Sequence, residues 1–298
     1  MSLLPGHFLI LAGRGSYPFV MARGAREAGV ATLSILALRG AASRALKSRA
    51  DAIHWIGVGE MERGLAWALE RGATHMAMAG GVSPLALFTT RFDALSKTLL
   101  SGLAVKNAHT IFGRLAGHIE AAGIRVLPAS VFMDAALPGP GVLTRRAPTP
   151  GEHSDIALGH QTAMGMCNLD IGQTLVVHRG MITAVEAFEG TNAAIRRAGK
   201  LVRGGVAVKV AKDGHDMRFD IPVIGPRTIP VLRRAGVTAL ALQARRTILL
   251  ERDETLRLAD RANLAILALD SGLPPAPTRP GEESGGSVVS DGSDGSLP

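Results

Sequence analysis

The sequence predicts an α/β protein of two domains, the first an open doubly wound unit with a largely parallel sheet. Three observations carry this. Short apolar runs alternate with amphipathic helical stretches through the first half, the alternation that makes a parallel sheet covered on both faces. Glycines stand where the runs end, at Gly13, Gly29, Gly72 and Gly123. A length of 298 residues, 47% of them hydrophobic and 19% charged, supplies core enough for two domains.

Taken in order, His7 to Ala12 reads as a strand and Tyr17 to Ala28 as a helix closed by Gly29. Thr32 to Leu38 and Ile53 to Val58 are buried strands. Met61 to Arg71 is an amphipathic helix, followed by a strand over Thr74 to Ala79. Ala104 to Ala122 is a long helix before the short strand Ile124 to Leu127. Leu137-Pro-Gly-Pro-Gly141 interrupts the pattern and divides a first domain, residues 1–136, from a second, residues 141–270. In the second, strands Thr174 to Val177 and Ile182 to Ala187 flank a hairpin turn at His178-Arg179-Gly180. Helices over Asn192 to Val202, Arg227 to Ala235 and Asp253 to Ala262 alternate with strands over Val206 to Val210, Thr238 to Leu242, Thr247 to Leu249 and Leu264 to Leu269. Residues 271–298 are rich in Pro, Gly, Ser and acid, a composition that favours disorder.

Composition excludes several functions. A single cysteine, Cys167, rules out an intramolecular disulfide framework and a multi-cysteine metal site. No stretch has the length of a signal peptide core or spanning helix, so the expectation is cytoplasmic. The net charge of +8 is dispersed, and aromatic residues are 4%, which argues against nucleic acid. Neither a GxSxG elbow nor a GxxxxGK[ST] loop is present.

Three segments carry candidate chemistry. Gly13-Arg-Gly15-Ser-Tyr-Pro18 follows a strand and opens a helix, the setting of a phosphate-binding turn, and Ala79-Gly80-Gly81 is a second turn at the same sheet edge. The third glycine of a dinucleotide fingerprint is missing, and the second strand ends at Leu38-Arg39 without an acid. Lys209 to Thr228 forms a loop dense in both charge signs, with Lys209, Lys212, Asp213, Asp216, Arg218 and Asp220. Such residues suit metal-assisted phosphoryl chemistry, carboxylates for Mg²⁺ and cations for phosphate, or a solvated loop with incidental ion pairs. Glu186-Ala-Phe-Glu189-Gly-Thr191-Asn192 places two acids before a helix capped by Thr or Asn; Glu186 reads as ligand or base, or the acids serve only the helix. Arg145-Arg146 reads as a phosphate clamp or, more simply, a solvated linker. The histidines show no paired ligand spacing, and Cys167 reads as packing. Spacing alone reaches a phosphorylated ligand held between two domains.

Gly141-Val-Leu-Thr-Arg-Arg-Ala-Pro-Thr149, Leu169-Asp-Ile-Gly-Gln173, Ala184-Val-Glu-Ala-Phe-Glu-Gly-Thr191 and Met217-Arg-Phe-Asp-Ile-Pro-Val-Ile-Gly-Pro-Arg-Thr228 occur in that order. Together with Leu11-Ala-Gly-Arg-Gly-Ser-Tyr-Pro18 they resemble the UDP-2,3-diacylglucosamine pyrophosphatase family of lipid A biosynthesis, over about residues 7–270. The resemblance implies a Rossmann-like N-terminal domain, a distinct C-terminal domain and a ligand cleft between them. It implies Mg²⁺-dependent hydrolysis to UMP and 2,3-diacylglucosamine 1-phosphate by attack of water on the phosphorus nearer the sugar. It further implies a homodimer and peripheral contact with the cytoplasmic membrane face. Carried over by motif, Asp220 is the essential aspartate, with Lys209 and Arg218 on phosphates and Asp220 with Asp216 toward the metal. Gly13, Gly15 and Gly80 would lie along the substrate, with Gln173, Glu186 and Thr191 also in contact. The stretch Gly80-Gly-Val-Ser-Pro84 departs from the family in lacking a basic residue. A nucleotide-sugar or NAD-dependent oxidoreductase and a non-catalytic nucleotide–lipid carrier are the rival readings.

Overall fold

The computed structural model describes residues 4–82, 90–103 and 108–270. In the first half, β1 (His7–Ala12), β2 (Thr32–Leu38), β3 (Ala52–Ile56), β4 (His75–Ala79) and β5 (Arg125–Val126) form one sheet in the order β3-β2-β1-β4-β5. Every pairing in it is parallel. Alternate residues of the central strands enter two separate cores: Phe8 and Ile10 face one, Leu9 and Leu11 the other. Both faces are therefore buried, which is why these strands read as continuous apolar runs. Helix α1 (Tyr17–Glu27) packs Met21, Ala22 and Ala25 into the first core. Helices α2 (Met61–Glu70), α3 (Ala94–Leu100) and α4 (Ala108–Ala121) cover the second through Ala68, Leu99, Leu115 and Ile119.

The second half builds a six-stranded mixed sheet ordered β6-β13-β11-β9-β7-β8, from β6 (Gly141–Val142), β7 (Thr174–His178), β8 (Met181–Val185), β9 (Val206–Lys209), β11 (Ala239–Gln243) and β13 (Ala265–Leu269). Strands β9, β11 and β13 are parallel; β7 and β8 are antiparallel neighbours, as the hairpin signal predicts. At the hairpin tip Arg179 and Gly180 take φ of 50° and 76°, and both backbone N–H groups donate to the Asp155 carboxylate at 2.9 and 2.8 Å. Helix α5 (Pro150–Asn168) covers one face; α6 (Thr191–Leu201), α7 (Thr228–Ala235) and α8 (Arg252–Arg261) cover the other. The short strands β10 (Val223–Ile224) and β12 (Ile248–Leu249) pair in parallel.

Two elements go beyond the sequence reading. Helix α3 follows an Asp93 cap that accepts from Ser96 N–H. Helix α5 opens with a capping box, Thr149 and Glu152 each accepting from the other's backbone. The long helix expected from Ala104 begins, among the described residues, at Ala108, and residues 104–107 lie outside them. The expected disorder of residues 271–298 and the departure at Ser83-Pro84 also lie outside the described residues.

Candidate functional site

Strand β9 delivers the first functional group. Its last residue, Lys209, pairs with Thr174 across the β9–β7 ladder and is only 4% exposed. The buried ammonium donates to Thr174 Oγ1 at 3.1 Å and to Thr191 Oγ1 at 2.9 Å, and lies 3.7 Å from Glu186 Oε2. The Thr191 hydroxyl in turn donates to Glu186 Oε1 at 2.9 Å. Glu186 Oε2 is buried with no hydrogen-bond partner. The side-chain cap expected for the helix after Glu189 is absent: Gly190, at φ 80°, stands at the N-cap. Thr191 turns its hydroxyl to Lys209 and Glu186 instead. Glu189 serves the helix, bonding Arg197 at 2.7 Å.

Asp220 comes from the charged loop. The loop is pinned to the first domain from two sides: Phe219 is buried in the core with Leu115 and Ile119, and Ile221 in the core with Phe8 and Met21. Between them Asp220 takes φ 52°, the left-handed region that Asp tolerates better than most residues. Gln173 holds it there, donating from Nε2 to the Asp220 carbonyl at 2.9 Å and to Oδ2 at 3.3 Å. Asp220 is itself open to the cleft; the protein packed around it raises its carboxyl to about 6, first through desolvation, with Lys209 pulling the other way and Glu186 adding to the rise.

Asp220, Glu186 and Gln173 line one cleft of about 580 Å³. Its remaining wall is largely apolar, with Leu11, Val58, Met61, Leu99 and Phe112 from the first domain and Ile171, Ala187 and Phe188 from the second. A polar, charged end thus faces an apolar chamber. Three further residues line the cleft: Lys212, named with the charged loop, and two histidines that the sequence does not single out. Lys212 is ion-paired with Asp170 at 2.7 Å, and His109 and His215 stand with ring centroids 5.8 Å apart. Burial lowers both imidazoles below their ordinary range. They lie 106 positions apart, so no local spacing signals them. Cys167 also lines the cleft, but burial raises its thiol to about 11, consistent with packing.

Other expected residues lie elsewhere. Asp216 and Arg218 are occupied with each other through Nε (3.0 Å to both carboxylate oxygens) and Nη2 (2.7 Å), and neither lines the cleft. Asp216 therefore does not join Asp220 as a cleft-facing ligand. Arg146 forks onto Glu152 at 2.9 Å from each terminal nitrogen, a structural pair that serves the start of α5. Arg145 is largely solvated beside Asp260, whereas Arg146, paired with Glu152, is neither a free clamp nor a solvated linker residue.

The glycine turns clasp one another. Gly13 N–H donates to the Ala79 carbonyl, and Arg14 and Gly81 exchange both backbone bonds, which commits those donors within the protein. A Cβ on Gly13 would stand 2.6 Å from the Gly81 carbonyl oxygen, and one on Gly80 2.7 Å from that of Arg14. Gly15, at φ 103°, and Gly81 have open space around them. Gly13→Ala is expected to destabilise the fold by about 2 kcal/mol, the scale of overpacking against a backbone that cannot yield. Urea denaturation reads this, and an unchanged midpoint would show that the turns part freely.

A magnesium ion fits this donor set in one particular manner. Among the described residues no group of three His, Cys, Asp or Glu side chains is close enough to form a protein cage. Mg²⁺ rarely uses one; it takes one or two carboxylates with waters and substrate phosphates. Asp220 in the cleft and Glu186, whose Oε2 accepts no hydrogen bond, are such carboxylates.

Comparisons with known proteins follow the same division of the chain. The LpxI N-terminal domain model matches residues 7–136, and the LpxI C-terminal domain model matches residues 139–267. The UDP-2,3-diacylglucosamine pyrophosphatase LpxI of Caulobacter vibrioides is 30% identical over 273 residues, covering 88% of this chain and 96% of that protein. Among solved structures, the biotin carboxylase domain of the Hydrogenobacter thermophilus 2-oxoglutarate carboxylase is similar with a TM-score of 0.27 and 19% identity, over 66% of this chain and 41% of that one.

Proposed function

Because the chain belongs to the LpxI family, we propose that it hydrolyses the pyrophosphate of UDP-2,3-diacylglucosamine, releasing UMP and 2,3-diacylglucosamine 1-phosphate. The observation that carries this reading is the single cleft with Asp220 and Glu186 at one end and an apolar chamber at the other. A diacylated sugar nucleotide has the same two-part chemistry. The first sheet, parallel in the order β3-β2-β1-β4-β5 with helices against both cores, supports a Rossmann-like doubly wound reading of the N-terminal domain.

In this reading Asp220 orients the attacking water toward the phosphorus nearer the sugar and draws on its proton. A carboxyl raised to about 6 is matched to that task near neutral pH, because it is ionised yet still basic. Water adds to the phosphorus, the bond to the bridging oxygen breaks, and UMP leaves. Lys209 does not itself line the cleft; 3.7 Å from Glu186, which does, and held by Thr174 and Thr191, it offsets phosphate charge at that end. Asp220 and Glu186 would hold Mg²⁺, which when bound neutralises charge developing on the pyrophosphate oxygens. Leu99, Phe112 and their neighbours take the acyl chains. Among the described residues no helix is long and apolar enough to cross a membrane. The reading also carries a cytoplasmic protein in peripheral contact with the membrane, working as a homodimer.

The test is UMP release from UDP-2,3-diacylglucosamine by purified protein with Mg²⁺. Release that EDTA abolishes and added Mg²⁺ restores is the expected result. Tight substrate binding without release would make the protein a carrier and overturn the assignment.

A further inference from the structure

Arg218 sits two residues from Asp220 and was expected to face phosphate, yet all three of its guanidinium nitrogens are occupied by protein. Nε and Nη2 grip Asp216 of the same loop, and Nη1 donates to Glu120 Oε2 at 2.7 Å. Asp216 Oδ1 also accepts from the Arg218 backbone N–H at 3.0 Å, closing the turn on itself. Glu120 lies on α4, whose Leu115 and Ile119 pack in the first-domain core that receives Phe219. The pair thus spans the two sheets' domains, at the point where the loop carrying Asp220 enters the first domain.

Asp220 holds a left-handed backbone at φ 52°, which persists only where neighbouring contacts over-determine it. On its C-terminal side Ile221 is buried, and its carbonyl is held by Gln173. On its N-terminal side Met217 accepts the Ala129 N–H at 2.7 Å, Phe219 is buried with its carbonyl 3.1 Å from His215 Nε2, and Arg218 is the tie that reaches the opposite domain through a charged pair.

Building on the proposed hydrolase reading, we infer that Arg218 is a positioning residue: braced by Asp216 and by Glu120 from the opposite domain, it fixes the loop that presents Asp220 to the cleft and links that presentation to the joining of the two domains. Its guanidinium is not a ligand of the substrate phosphates. Glu120, outside the cleft lining, belongs to the same device.

Glu120→Gln, Arg218→Gln and the double variant separate this from a phosphate contact. The latch predicts that each single change lowers kcat about tenfold with KM within about twofold, and that the double variant falls no further, since one coupled unit is lost. The charge exchange Glu120→Arg with Arg218→Glu strands Asp216 beside a new acid, so Arg218→Lys is the intermediate arm: one ammonium cannot hold Asp216 and Glu120 together as the guanidinium does, and it recovers only part of kcat. Hydrogen exchange of residues 215–222 supplies a readout independent of turnover, and faster exchange in Glu120→Gln is expected. A wild-type chain that releases no UMP removes the hydrolase reading, and the exchange experiment still decides the latch. Arg218→Gln raising KM about tenfold or more while Glu120→Gln leaves kcat and exchange unchanged would overturn the inference and return Arg218 to the substrate.

Discussion

Asp220→Asn is expected to lower kcat about a thousandfold, within the range attributed to a positioned acid–base group, while leaving the fold intact and more resistant to urea at neutral pH. The two effects have one cause. The protein raises this carboxyl from 3.8 to about 6, so it destabilises the ionised group. Between those values the folded chain keeps a proton that the unfolded chain has lost. Stability therefore falls as pH rises through this window, and the cost is fully present above about 6. Asparagine removes the charge and with it the slope. It also keeps a side-chain oxygen for Gln173 to donate to, so the loop retains its support. The wild type's kcat/KM should decline as pH drops through about 6, because protonation removes the group that orients water. Urea titrations of both proteins at several pH values, beside UMP release, provide the measurement. Near-normal turnover in Asp220→Asn would remove Asp220 from the chemistry; an unchanged stability slope would show that the fold does not raise this carboxyl.

Much of this architecture is legible from local signals. Strands β1, β2 and β4 announce themselves because both faces are buried and glycine ends the preceding or following element. Helix α5 is harder to see, because several of its inward positions are small. A Cβ on Gly159 would meet Val208 Cγ2 at 2.6 Å, so the helix lies against the sheet through residues that carry little hydropathy. Its capping sequence, Thr149-Pro-Gly-Glu152, was the available signal. The short α3 has only its Asp93 cap to mark it.

The site divides in a similar way. Glu186, Thr191 and Lys209 meet because β7, β8 and β9 are neighbours in one sheet, and the hairpin signal already implied half of that arrangement. Within the charged loop, composition does not distinguish Asp220 from Asp216. One faces the cleft and the other satisfies an arginine, and the difference follows from a left-handed residue and two buried neighbours, Phe219 and Ile221. His109 reaches the cleft from α4 of the other domain, a long-range placement that spacing cannot encode. The glycine turns teach the converse lesson. A phosphate turn and a turn clasped to its neighbour need the same small residues, and here the backbone donors of Gly13, Arg14 and Gly81 go to the neighbour.

Lys209→Met should be the most destabilising change in the site, by about 3–5 kcal/mol, because it leaves a buried carboxylate without its cation. The side chains of Lys209 and Glu186 are only 5% and 12% exposed, so water cannot take over the lost role. Methionine fills a similar volume, which keeps cavity formation out of the comparison. Thr174 and Thr191 lose a donor each, while the Thr191 hydroxyl still bonds Glu186. If the cost arises from the stranded charge, adding Glu186→Gln should restore most of the stability, since both charges are then gone. Turnover should not follow. The double variant folds but lacks the ammonium that offsets phosphate charge and a carboxylate proposed to hold Mg²⁺, so kcat should stay depressed about a hundredfold or more. Urea denaturation of the two variants, with UMP release measured on the same samples, separates folding from function. A double variant no more stable than Lys209→Met would mean that the lysine acts through its packing and its threonine bonds rather than through Glu186. A double variant that recovers turnover along with stability would reduce the buried pair to a structural element and assign the charge compensation for phosphate to a cation that lines the cleft, Lys212.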